Sequence, residues 1–115
     1  MLVTASKILL CVALICIFVF AFAPGQWTPA WIVNHDKFSH MMVFFFLGFI
    51  WKFSFPKMNL VLLMTLLVFF AVMIELLQFT FFNRGFSIKD IQYDLLGIGL
   101  FGVFNLTFSL IKKHI

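Results

Sequence analysis

Four stretches of the chain are almost free of polar side chains, and short polar segments separate them. Residues 8–23 form an unbroken apolar run, preceded by Lys7 and closed by Pro24-Gly25. Residues 38–55 follow, with Ser39 and His40 near the start, Lys52 near the end and Pro56-Lys57 just beyond. The third run, 59–82, is apolar apart from Asn59, Thr65, Glu75, Gln78 and Thr80. The last opens with Asp90 and Asp94, reaches Ile111 and is closed by Lys112-Lys113-His114. At about 1.5 Å per residue, runs of this length match a ~30 Å hydrocarbon core. The pattern predicts helices at about 4–23, 38–55, 59–82 and 90–111. It gives an all-α integral membrane protein, a bundle of about four transmembrane helices forming one domain over residues 1–115. The first run also has the basic start and the Ala21-Phe22-Ala23 end of a cleaved signal peptide. An uncleaved first helix is the preferred reading, because further spans follow it. Between the first two runs, Trp27 and Trp31 stand where interfacial aromatics belong.

Composition sharpens this picture. The chain is 64% hydrophobic and 10% charged, against about 45–50% and 25% in soluble domains. Nineteen Phe against one Tyr give it an oily surface suited to acyl chains. The net charge of +4 is spread over loops and ends, which reads as topology and phosphate affinity rather than a nucleic-acid groove. Four spans place Lys7, Lys52, Lys57, Lys112 and Lys113 on one side, against Lys37, Arg84 and Lys89 on the other. The larger set favours cytoplasmic N- and C-termini in a multi-pass protein of the cell inner membrane. Cys11 and Cys16, five apart on one helix, are too far apart to bridge and read as small lipid- or core-facing residues.

The polar exceptions inside the runs carry the candidate chemistry. Helical spacing puts Glu75 and Gln78 on one face, and Asp90 and Asp94 on one face of the next helix, across the turn Asn83-Arg84-Gly85. A carboxylate within a membrane costs roughly 2.5–3.5 kcal/mol on insertion scales, so each must be satisfied or used. With both termini cytoplasmic, Asp36, Lys37, His40, Glu75, Gln78, Arg84, Asp90 and Asp94 all fall within roughly 12 Å of the outer boundary. They form a polar pocket at head-group level. Arg84 suits bidentate capture of a phosphate, with Lys37 and Lys89 as point charges beside it. His40 is the proton carrier, and Asp36, one turn earlier, is placed to orient its imidazole.

The expected division is therefore His40, Glu75 and Asp90 as catalytic groups, Arg84, Lys37, Gln78 and Asp94 as substrate-binding groups, and Asp36 in support. The bland alternative is a polar network that holds four helices in register without catalysis. Two motifs are decoys. The glycines of Gly97-Ile98-Gly99-Leu100-Phe101-Gly102 lie inside an apolar span with no strand before them, so they suit close helix packing rather than a dinucleotide loop. His35, His40 and Glu75 or Asp94 lack the close ligand spacing of a zinc site, and no cofactor is implied.

Asp36-Lys37-Phe38-Ser39-His40, Phe44, Leu47-Gly48, Glu75-x-x-Gln78, Arg84 and Asp90-x-x-x-Asp94-x-x-Gly97 together resemble the VanZ-like family. The likeness covers about residues 36–102, with Asp94 where the family often has Asn and Phe44 where it often has an aromatic hydroxyl. It implies a small bacterial envelope protein of a family associated with resistance to teicoplanin-type glycopeptides. The expected function is action on, or binding of, phosphate-bearing lipid head groups, phospholipid or polyprenyl-linked, at the outer leaflet. A non-catalytic protein that masks cell-wall precursors is the alternative. Membrane lipids are the expected partners, with no nucleic acid and no soluble partner.

Overall fold

The computed structural model describes residues 2–22, 36–81 and 88–114. They form four helices: α1 Leu2–Phe22, α2 Asp36–Ser54, α3 Leu60–Phe81 and α4 Ile88–His114. Each covers one of the four apolar runs. The ends differ from expectation at two places that matter for the site. Helix α2 starts at Asp36 and α4 at Ile88, each two residues earlier than the apolar pattern alone indicates. Lys37 therefore sits on a first turn rather than in a connecting segment, and Asp90 lies two residues inside its helix rather than at its start. Helix α4 also runs on to His114, so Lys112 and Lys113 are helical.

The connection between α2 and α3 shows how local chemistry sets these ends. Pro56 has no amide hydrogen to continue the helix, and the chain turns at residues 55–58. The Phe55 amide donates back to the Trp51 carbonyl and the Met58 amide to the Phe55 carbonyl, each at 3.0 Å. The Asn59 side-chain oxygen accepts from the Val61 amide at 2.8 Å, satisfying one of the open donors at the start of α3.

Ring and side-chain contacts give the helix directions. Lys7 of α1 lies over Phe55 at the end of α2, so α1 and α2 run antiparallel. Phe18 of α1 and Phe44 of α2 both pack on Phe70 of α3, and the tight 55–58 turn makes α3 antiparallel to α2. Between α2 and α4, Phe49 packs on Phe101 and Phe45 on Phe104. The polar contacts at their N-terminal ends, Lys37 with Asp90 and His40 with Asp94, follow the same order along both helices. Helices α2 and α4 are therefore parallel, and they share the most extensive interface of the bundle. The core they enclose with α3 holds Phe44, Leu47, Leu63, Leu67, Ile98 and Phe101.

The outer surface is equally apolar. Ile15, Val61, Phe69, Val103 and Phe108 are each more than 60% exposed. Residues Leu60–Thr80 and Ile88–Lys113 are long and apolar enough to cross a membrane, and the apolar part of α1, Val3–Val19, is shorter. Helix α2 is not among them, because Lys37, His40 and Lys52 interrupt its hydrophobic character. Cys11 and Cys16 are both free and exposed on α1.

Candidate functional site

The site is a polar seam where α2 meets α4. Asp90 and Asp94 are one turn apart on α4, and Lys37 and His40 are nearly one turn apart on α2, so parallel helices can join them as two rungs. The Lys37 ammonium donates to Asp90 Oδ1. His40 Nδ1 lies 2.8 Å from Asp94 Oδ1. An ionised carboxylate only accepts hydrogen bonds, so against an ionised Asp94 the imidazole donates from Nδ1. The Asp94 side chain is 4% exposed and that of His40 27%. The dyad therefore has a shielded carboxylate and a partly exposed imidazole.

Below the rungs the two backbones nearly touch. A Cβ built on Gly97 would lie 2.2 Å from the Met41 carbonyl oxygen. Gly97 is three residues beyond Asp94, and Met41 follows His40. The glycine thus allows the approach that brings Asp94 within reach of the imidazole. Two turns further on, Gly48 leaves room for the Phe101 ring, which would be 2.5 Å from a Cβ there. Of the other glycines in the predicted packing motif, Gly102 faces the Met64 side chain and Gly99 faces nothing within 4 Å.

Glu75 reaches the same height from α3. Counted from the Phe44–Phe70 ring contact, His40 lies about 6 Å toward the start of α2 and Glu75 about 7.5 Å toward the end of α3. Because those helices are antiparallel, both displacements point the same way. Glu75 is 2% exposed, and Gln78, one turn further along, is half-buried. Ser39 Oγ, beside His40, is buried without a hydrogen-bond partner. Sequence reading passed over this hydroxyl, since a serine near a helix start is ordinarily satisfied by backbone.

The structure thus brings Lys37, His40, Asp90 and Asp94 together directly and sets Glu75 at their level. Asp94, expected among the substrate-binding groups, lies against His40 Nδ1. Arg84, His35, Trp27 and Trp31 lie outside the described residues, as does the Asp36 side chain. Lys89 is exposed on the first turn of α4. Comparison with family models, curated proteins and solved structures finds no match.

Proposed function

We propose that the chain is a four-span protein of the bacterial inner membrane, with both termini cytoplasmic, that acts on phosphate-bearing lipid head groups at the outer leaflet. The observation that carries this reading is the His40–Asp94 pair, level with buried Glu75 and one rung from Lys37. The apolar outer surface supports the membrane setting, and the resemblance to VanZ-like proteins supports the choice of site. In this reading His40, oriented by Asp94, and Glu75 divide the general base and general acid roles at a head-group phosphate. Lys37 and Arg84 bind the phosphate, and Arg84 stabilises the charge that develops.

The test is a lipidomic comparison of cells with the protein, without it, and with Glu75→Gln or His40→Ala variants. A head-group change that requires the wild-type chain, and that both variants abolish while still inserting and purifying normally, is the expected result. Full turnover in both variants would remove the catalytic assignment.

A second reading is favoured by the Met41–Gly97 approach. The rungs beside it then serve to fix the register of α2 on α4, with no chemistry. It predicts that head-group composition does not respond to the protein and that the same substitutions act only on thermal stability.

A further inference from the structure

The end of the bundle opposite the polar seam has a different chemistry. The chain has four side-chain carboxylates, and all of them, Asp36, Glu75, Asp90 and Asp94, lie toward the seam end. At the other end three ammonium groups surround one short turn. Lys7 Nζ lies 5.1 Å from the Phe55 ring centroid. Lys52 Nζ donates to the Met58 carbonyl at 3.0 Å. Lys57 stands exposed within the turn itself, which the Met58-to-Phe55 hydrogen bond closes. Because α4 runs parallel to α2, Lys112 and Lys113 belong to this end too. None of these contacts neutralises a charge, since an aromatic face and a carbonyl oxygen carry only partial charge.

The helix that follows the turn is apolar at its surface: Val61, Met64, Thr65 and Val68, a single stripe along the first half of α3, line a shallow, open groove of about 320 Å³. The Thr65 hydroxyl donates to the Val61 carbonyl at 2.8 Å, so its polar atom is spent within the helix. Lys57 precedes Val61 by four residues, so the cationic turn leads directly into the helix that carries the groove.

A cluster of cations with no carboxylate partner among the described residues, next to a hydrocarbon-lined groove, complements one kind of ligand: a molecule with an anionic head and an aliphatic tail. We propose that this end binds an anionic phospholipid, its phosphate held by Lys7, Lys52 and Lys57 and one acyl chain lying in the Val61–Val68 groove. The site is separate from the polar seam and stands whether or not the seam is catalytic. In the four-span topology it faces the cytoplasmic leaflet, whose anionic lipids attract juxtamembrane cations. The occupant is the lipid and not free phosphate, because the groove adds contacts that only a tail can fill.

The experiment is native mass spectrometry of the full chain in detergent. Phosphatidylglycerol and phosphatidylcholine of identical acyl chains are added in turn, with inorganic phosphate as the tail-less probe. The wild type is expected to retain phosphatidylglycerol on the order of tenfold better than phosphatidylcholine, and to retain no inorganic phosphate. A K7Q/K57Q variant, which changes two exposed residues and leaves the Lys52 contact in place, is expected to lose that preference. A T65W variant, which fills the groove, is expected to weaken retention of both lipids and keep the preference. Equal retention of the two lipids by the wild type, or a preference that survives K7Q/K57Q, overturns the proposal. So does inorganic phosphate that competes for the site with T65W having no effect. Helicity by circular dichroism confirms that each variant is folded.

Discussion

The Met41 carbonyl and the Cα of Gly97 are so close that no side chain fits between them: a methyl group at position 97 would lie 2.2 Å from the carbonyl oxygen. This approach is the hinge of the site's geometry, because His40 and Asp94 lie beside it on the same two helices. Gly97→Ala is expected to force α2 and α4 apart and to cost about 1–3 kcal/mol, the usual range for overpacking. Gly99→Ala is the control. It meets nothing within 4 Å and gains about 0.4–1 kcal/mol from reduced freedom of the unfolded chain. Thermal unfolding in one detergent, read for both variants, checks the pair. Equal melting temperatures would show that the close approach is not used.

The same seam has a second steric lock. Gly48→Ala would push a Cβ to 2.5 Å from Cγ of the fully buried Phe101 ring, an atom that cannot swing away. The variant is expected to lower the melting temperature, and a Phe101→Leu replacement is expected to restore part of the loss. Either change alone should destabilise, Phe101→Leu by leaving a cavity. The double variant should be more stable than the sum of the two predicts.

The two rungs should behave differently. Lys37 is 37% exposed at its side chain and Asp90 16%, so the pair is expected to contribute no more than about 1 kcal/mol. Lys37→Gln should therefore leave thermal stability nearly unchanged while weakening phosphate-lipid binding. The His40–Asp94 pair is more shielded. A double-mutant cycle with His40→Ala and Asp94→Ala is expected to give a coupling energy of about 0.5–3 kcal/mol. A coupling near zero would mean that the 2.8 Å contact has no energetic weight.

These expectations show what could be read from the chain and what could not. The four helices were legible because each apolar run is long and because Pro24 and Pro56 interrupt the pattern at two of the connections. Asp36, Lys37, Ile88 and Lys89 were placed outside helices because polarity at a helix start resembles a loop, although Asp90 on a first turn complements the helix dipole. Spacing also identified the residues that share a face, such as Asp90 with Asp94. It could not say which helix that face meets. The pairing of Asp94 with His40 follows from the parallel packing of α2 on α4, which Gly97 and Gly48 permit. Glycines inside an apolar run signal close packing without naming the partner. The cationic turn was read as scattered topological charges, since Lys7 lies 45 residues from Lys52 in sequence and only the fold brings them to one place.

Glu75 offers the sharpest separation between chemistry and architecture. It is 2% exposed, in the half of α3 that approaches the seam, and an ionised carboxylate there needs hydrogen-bond donors or cations around it. Gln at this position keeps the volume and one carbonyl acceptor but removes the charge and the proton-transfer capacity. If Glu75 is a catalytic group, Glu75→Gln abolishes head-group turnover with the fold intact, and Glu75→Asp restores a measurable fraction because the acid is retained at a shorter reach. If instead the charge only holds the helices together, removing it leaves its partners uncompensated, at a cost on the order of 3–5 kcal/mol. Any activity then falls in proportion to the folded fraction, and Glu75→Asp recovers stability before it recovers turnover. Melting curves and turnover on the same three preparations distinguish the two. The catalytic reading expects nearly superimposed melting curves and a loss of turnover of about 10²-fold or more.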